Sequence, residues 1–303
     1  MEVRSLGYRT DLAILAFEGS QVTDRGDHLV IRTPDNPDYW WGNFLLLRDL
    51  RPGSGGSWMA KFAAEFPDAR HMALGLDEPD IRAVDPGEFP EMAMEHNAVM
   101  TATSVHAPPR PNTEATFRTL EGDADWRQSL ELAAAVHAGE PGGDARFLSA
   151  QLAAKRALTE AGHGAWSGAF LDGTLVSQLG LITVETGLAR YQSVETHPAA
   201  RRRGLAGTLV WHAGATALTG GTRILVMVAE PEDAAIRVYR SVGFTVTEPQ
   251  LSFSRQPAQS LPAKGNFFLH DLPDISKAGA APGNGHHEEG CQRQGPEDDG
   301  GVN

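Results

Sequence analysis

One short stretch, SVETHPAARRRGLAGTLVWHAG at residues 193–214, limits the local fold more than any other part of the chain. An apolar strand pattern ends at a His-Pro step, and three arginines then precede the glycines that open a helix pattern. The first turn of a helix carries backbone N–H groups without intrahelical partners, and these bind phosphate groups. Gly204, Ala206 and Gly207 are small enough for a phosphate to reach that backbone. The stretch therefore predicts a strand, a tight turn and a helix start that holds an anion.

Charge and composition narrow the class of partner. The 303 residues include 39 acidic and 26 basic side chains, a net charge of −13, which disfavours nucleic acid and anionic membranes as partners. Apolar residues make up 41% and charged residues 21%, as in a globular protein. The single cysteine, Cys291, and the lack of an apolar signal segment lead us to expect a cytoplasmic protein.

The sequence divides into three regions and a linker. Residues 1–107 mix strand and helix patterns, including an expected strand in DLAILAFEG at 11–19. The prolines of 108–114 predict a linker, and residues 115–256 follow the order β-α-α-β-β-β-α-β-α-β of a mixed sheet with helices on both faces. Residues 257–303 form a Gly/Pro/Asp/Glu-rich extension that is expected to be largely disordered, so its His286-His287 pair is not taken as a metal site.

Two motifs in the 115–256 region resemble those of the GNAT superfamily of N-acetyltransferases. RRRGLA matches its Arg/Gln-x-x-Gly-x-Gly/Ala signature, with Arg201, Gly204 and Ala206 at the defining places. EDAAIRVYRSVGF matches a second signature downstream, with its matching residues at Ala235, Val238, Tyr239, Gly243 and Phe244. The resemblance covers 115–254 and implies an α/β (α+β) fold: a GNAT-type mixed sheet flanked by helices, preceded by a second, smaller α/β domain. Residues 1–107, which lack the signature, are interpreted as a degenerate GNAT-like unit.

The resemblance also implies how acetyl-CoA, the expected co-substrate, is held. Backbone groups of the strand would bind its pantetheine arm, and the loop with the helix start would bind its pyrophosphate. The strand residues are Val194, Glu195 and Thr196, and the loop residues are Arg201, Arg202, Arg203, Gly204, Leu205, Ala206 and Gly207. The donor would lie where the two parallel strands around 189–196 and 223–229 separate. No metal is expected.

Acetyl transfer to an amine needs a base for the amine's proton and an acid for the departing thiolate. Tyr239 is the expected acid on the resemblance, and Glu195 is a candidate base in the strand. The asparagine that commonly opens the second signature is Glu232 here, and a carboxylate cannot donate hydrogen bonds as an amide does.

The sequence thus predicts an acetyl-CoA-dependent N-acetyltransferase that acts on a primary amine of a small molecule or peptide. A catalytically silent acyl-CoA-binding sensor or regulatory protein is the alternative, and a structural protein with a surface arginine patch is a third reading. A homodimer is left open, and the sequence does not identify the amine.

Overall fold

The computed structural model describes residues 1–37, 39–81, 83–139 and 145–255. All of these residues lie within one structural unit, Met1–Leu272. The predictions made for the extension 257–303, including Cys291 and His286-His287, fall outside the described residues and stay predictions.

The helices and strands follow one another along the first half of the chain, residues 1–107, and the second half, residues 115–255. The six α-helices in the described residues are α1 (Leu6–Phe17), α2 (Gly55–Glu65), α3 (Gly122–Val136), α4 (Ala145–Glu160), α5 (Leu205–Thr219) and α6 (Ala234–Arg240). The strands are β1 (Gln21–Asp24), β2 (His28–Arg32), β3 (Phe44–Leu47), β4 (Met72–Leu76), β5 (Ala93–Ala102), β6 (Thr116–Thr119), β7 (Gly164–Leu171), β8 (Thr174–Glu185), β9 (Leu188–Thr196), β10 (Ile224–Ala229) and β11 (Thr245–Arg255).

These strands form one mixed sheet in the order β1-β2-β3-β4-β11-β5-β10-β9-β8-β7-β6. The pairs β3–β4 and β9–β10 are parallel, and the other neighbouring pairs are antiparallel. The predicted fold class, a mixed sheet flanked by helices and preceded by a smaller α/β unit, is confirmed.

The sheet has the same strand pattern on both sides of its central β11–β5 pair. Outward from the centre, β4, β3, β2 and β1 on one side correspond to β10, β9, β8 and β7 on the other. Each parallel pair is connected by one helix, α2 in the first half and α5 in the second. The expected likeness of the first region to the second is therefore present in the structure, and β6, α3 and α6 have no counterpart among the strands and α-helices of the first half.

The two halves exchange their last strands. β5 follows β4 in sequence but lies beside β10, while β11 lies between β4 and β5. Each half thus completes its part of the sheet with a strand of the other. The predicted boundary at 108–114 stays a prediction about the chain, whereas the sheet itself runs through both halves without a break.

Helices cover both faces of the sheet. On one face, α5 and α6 pack on β8, β9, β10 and β5, and α2 packs on β2, β3 and β4. On the other face, α1 covers the first half and meets α3 and α4 over β7 and β8. This arrangement places α1, which belongs to the first half by sequence, against β8 and β10 of the second half.

The expected strand at 11–19 is wrong, because residues 11–17 belong to helix α1 and residues 18–19 form the turn after it. Ser5 caps this helix by accepting the N–H of Tyr8 (3.4 Å). The carboxylate of Asp77 accepts the N–H of Ser5 (2.8 Å), and that of Glu248 accepts the N–H of Leu6 (2.7 Å). Acidic groups at a helix N-terminus stabilise the helix, and these two come from distant parts of the sequence.

Candidate functional site

The loop before α5 has the backbone shape of an anion site. Arg202 (φ 64°) and Gly204 (φ 75°) both adopt left-handed conformations. A Cβ atom at Gly204 would lie 2.3 Å from the carbonyl oxygen of Arg110, so glycine is required there for both reasons. Loops with such alternating conformations turn successive N–H groups toward one side, where they bind anions.

The N–H groups of this loop are available to a ligand. Within the described residues, none of the backbone N–H groups of 202–207 donates to a protein acceptor, and the first that does is that of Thr208, to Gly204 (3.1 Å). The segment 110–112, predicted as linker, closes the other side of the loop: Asn112 donates from its backbone N–H to Thr208 Oγ1 (2.8 Å). The loop is thus held in shape by its surroundings while its donors stay open.

The three arginines have different environments. Arg201 Nε donates to the carbonyl of Thr196 (3.2 Å), which ties the signature position to the end of β9. Arg203 forms a surface ion pair with Glu114. Arg202 is exposed and makes no ion pair within the described part of the chain. Among the described residues, Arg201 and Arg203 each have a partner for their guanidinium group and Arg202 has none. Arg202 could therefore bind an anion without breaking an existing contact.

The parallel strands beside this loop separate, as the sequence predicts. β9 and β10 are paired only from Leu188–Ile224 to Arg190–Val226. Beyond that point β9 remains paired with β8, and β10 with β5. The backbone of β9 from residue 191 to 196 therefore borders a gap that opens toward the start of α5.

A bulge in β9 changes the direction of its side chains near the gap. Three steps of β9, from Gln192 to Glu195, lie opposite two steps of β8, from Gln178 to Gly180. Ser193 takes up the extra residue with a left-handed φ of 48°. After this bulge, Val194 packs with the core under α5, and Glu195 is directed to the opposite face, toward α3. Bulges re-aim side chains in this way beside active sites.

Glu195 lies in a buried polar network. His137, which follows the last residue of α3, contacts one carboxylate oxygen through Nε2 (3.4 Å), and Gln178 Nε2 donates to the other (2.7 Å). Ser129 Oγ donates to Gln178 (2.5 Å) and fixes the orientation of the amide. The structure thus brings together a carboxylate, an imidazole and an amide that are far apart in sequence.

Burial alone would raise the pKa of Glu195, but the hydrogen bond from His137 and the charge of Lys155 outweigh it and hold the pKa below its usual value. Glu195 is therefore a carboxylate at neutral pH. Burial lowers the pKa of Lys155, which the charge of Glu195 partly offsets, and its ammonium donates to Gln151 (2.9 Å). Sequence reasoning missed His137, Gln178 and Lys155, because no local pattern marks residues that meet only across the sheet.

Tyr239 lies on α6, buried among the residues that pack under α5. Burial raises the pKa of its phenol, so the hydroxyl stays protonated at neutral pH. Its neighbour Val238 lies next to Gly207, where a Cβ atom would be 3.4 Å from the Val238 side chain. This contact brings the helix that carries Tyr239 against the first turn of α5.

In the first half, the turn that corresponds to the loop before α5 already has a side chain of the protein as its hydrogen-bond acceptor. There Gly53 of the loop before α2 and Gly55, the first residue of α2, donate their N–H groups to the carboxylate of Glu88, the latter over 3.0 Å. A Cβ atom at Gly55 would lie 1.8 Å from the Glu88 carbonyl oxygen. A side-chain anion thus occupies this helix start, whereas the equivalent start of α5 is open.

Two other properties concern cofactors and membranes. Among the described residues, no group of three or more His, Cys, Asp or Glu side chains is arranged to hold a metal ion. No helix in the described ranges is both long and apolar enough to cross a bilayer.

Comparison with known proteins finds a family match for part of the chain. Residues 130–244 match the Acetyltransferase (GNAT) family. No curated protein matches the chain in sequence.

Three solved structures illustrate the likeness of fold. A functionally unknown conserved protein from Staphylococcus epidermidis has a TM-score of 0.63 and 10% identity, over 79% of this chain and 95% of that one. A GCN5-related N-acetyltransferase from Kribbella flavida has a TM-score of 0.55 and 15% identity, over 84% of this chain and 98% of that one. Another from Sphaerobacter thermophilus has a TM-score of 0.55 and 18% identity, over 83% of this chain and 86% of that one. At these identities the likeness is one of fold, and it extends over both halves.

Proposed function

We propose that the protein moves an acetyl group from acetyl-CoA to a primary amine of a small molecule or peptide, because residues 130–244 match the acetyltransferase (GNAT) family, whose chemistry is acetyl transfer. The observation that carries the proposal is the open helix start. Six consecutive N–H groups, 202–207, have no acceptor among the described residues, and they lie beside a gap in the sheet.

The pyrophosphate of acetyl-CoA fits this loop. The N–H groups of 202–207 and the positive end of α5 would bind its oxygens, and Arg202 would add a charged fork. The backbone of Val194, Glu195 and Thr196 would hydrogen-bond the pantetheine arm in the gap between β9 and β10. A dinucleotide or nucleoside triphosphate would also place phosphates here, but the family match favours acetyl-CoA.

The proposed reaction is direct attack in a ternary complex. The amine nitrogen forms a bond to the acetyl carbonyl carbon, and the C–S bond of the thioester then breaks. The proton lost by the amine passes to the Glu195 carboxylate, which His137 and Gln178 keep ionised and in place. The electron pair of the C–S bond leaves on the CoA sulfur, which takes a proton from the Tyr239 hydroxyl.

Calorimetric titration with acetyl-CoA and thiol release over a panel of amines test this function. We expect binding at micromolar concentration and thiol release with at least one amine. Arg202→Ala should raise the Kd for acetyl-CoA about tenfold, since one charge-assisted contact is lost. Arg223→Ala removes an exposed arginine just beyond the other end of α5 and should leave the Kd unchanged. Absence of binding would refute the proposed site, and binding without turnover for every amine would refute the proposed reaction.

A further inference from the structure

A buried ion pair connects the two halves at the point where β9 and β10 separate. Arg190 of β9 and Asp11 of α1 are 2% and 4% exposed, and Arg190 Nη2 lies 3.1 Å from Asp11 Oδ1. Arg190 Nη1 also donates to Thr10 Oγ1 (2.8 Å). Two residues of a helix in the first half thus hold an arginine of the second half.

Arg190 occupies a particular place in the sheet. It is the last residue of β9 that pairs with β10, opposite Val226. Its Nε donates to the carbonyl oxygen of Tyr191 (3.2 Å), the first residue of β9 beyond that pairing. The guanidinium therefore binds the backbone where the strand leaves its parallel neighbour, and it satisfies a carbonyl there.

The anchor of this arginine is itself fixed. Gln250 of β11 donates from Nε2 to Asp11 Oδ2 (2.8 Å). β11 is paired with β4 and β5, so the Asp11 carboxylate is held from α1 and from the centre of the sheet at once. A displacement of the end of the β9–β10 pairing would have to move groups from three elements.

The first half provides an internal comparison. Its parallel strands β3 and β4 stay paired to the end, at Leu47–Leu76, and the N–H of Asp77 then donates to the carbonyl of Leu47 (2.8 Å). The two residues of β3 directed to the α1 face, Phe44 and Leu46, are buried and apolar. The half without a buried arginine at this place is thus also the half whose strands do not separate.

We propose that Arg190 is a positioning residue that holds the gap between β9 and β10 in the shape that receives acetyl-CoA, and that Asp11 of the first half anchors it. The inference rests on the proposed function for the identity of the ligand. It gives the first half, whose own helix start is filled, a role in the site of the second half.

A buried ion pair is seldom needed for stability as such, because apolar residues of similar size replace it with little loss. A variant with an apolar pair can therefore distinguish a role of the ion pair in stability from its role in shaping the gap. In the double variant Asp11→Leu/Arg190→Met we expect a melting temperature close to that of the wild type and a KM for acetyl-CoA about tenfold higher, with the KM for the amine unchanged. The lysine in Arg190→Lys keeps a positive charge beside Asp11 but cannot also donate a hydrogen bond to the Tyr191 carbonyl. This variant should therefore also raise the KM for acetyl-CoA.

Hydrogen exchange gives a readout that needs no ligand. The N–H groups of residues 191–196 should exchange about tenfold faster in both variants. Tyr8→Phe is the matched control: it removes a buried hydrogen bond from α1 to the carbonyl of Leu251 (2.6 Å), and should lower stability without faster exchange in 191–196 or a higher KM.

The outcomes separate the two proposals. If the wild type does not bind acetyl-CoA, the proposed function fails, and exchange alone decides whether Arg190 holds the gap. Unchanged exchange and unchanged KM in Arg190→Lys would overturn the positioning role, whether or not the double variant folds. An equal increase in the exchange rate of 191–196 and in the KM for acetyl-CoA in Tyr8→Phe would also overturn the positioning role. The effect would then follow from any loss of a buried hydrogen bond of α1.

Discussion

Tyr239 is the buried side chain that the proposed reaction uses as its acid. Because burial raises the pKa of its phenol, the hydroxyl carries a proton throughout the physiological pH range. Tyr239→Phe should lower kcat about 10²-fold, with little change in the Kd for acetyl-CoA, measured by thiol release and calorimetry. Tyr8→Phe, at another buried tyrosine, controls for loss of a hydroxyl. An unchanged kcat in Tyr239→Phe would remove this residue from the mechanism.

Glu65, at the end of α2, links the ionisation of one carboxylate to stability. Hydrogen bonds from Arg25 and Arg32 lower its pKa from 4.5 to about 2. A carboxylate with a lowered pKa in the folded state stabilises the protein above its unfolded pKa, and this contribution is lost as the pH falls from about 4.5 to about 2. Glu65→Gln should therefore reduce the free energy of unfolding at pH 7, and the difference from wild type should shrink toward pH 2.

Urea unfolding at several pH values measures that difference. Glu131→Gln, at an exposed position of α3, controls for the loss of one negative charge. A difference for Glu65→Gln that stays constant from pH 7 down to about pH 2 would contradict the linkage.

At the scale of elements, the loop before α5 depends on glycine at one position. Gly204→Ala meets both a left-handed φ, which costs about 1–2 kcal/mol for alanine, and the Arg110 carbonyl. We expect acetyl-CoA binding to weaken at least about tenfold, because the loop must move to relieve the contact. Gly221→Ala, just beyond the other end of α5, has a left-handed φ of 103° but no atom within 4 Å of a Cβ. It should cost stability alone, and an equal loss of binding there would refute the argument.

Local signals explain which elements the sequence could predict. The hairpin between β7 and β8 follows from Asp172-Gly173, and the start of α5 follows from the small residues after the arginines. Helix α1 was predicted as a strand because its stabilising carboxylates, Asp77 and Glu248, lie far away in sequence. The partners of Glu195 could not be predicted from the sequence for the same reason, because they lie next to it only once β8, β9 and α3 have packed.

At the scale of the whole molecule, the two halves have similar strand patterns but differ at the turn before the helix that connects their parallel strands. The first half lacks the gap, and Glu88 fills its helix start. We therefore expect one acetyl-CoA per chain in a calorimetric titration. Glu88→Gln should keep that stoichiometry, since its amide oxygen still accepts one of the two N–H groups and the side chain still occupies the helix start. A stoichiometry of two in the wild type would show that the first half binds as well.

The exchange of β5 and β11 has a consequence for how the protein is made. β11 pairs with β4 between residues 251 and 76, which are 251 − 76 = 175 positions apart. Domains are usually completed one after another as the ribosome releases them, at about 5–20 residues per second. Here the edge of β4 stays unpaired until the last strand of the second half has been synthesised, so neither half can complete its sheet before β11 is available. Folding of this protein therefore depends on β11, with the slow kinetics that long-range strand pairing imposes.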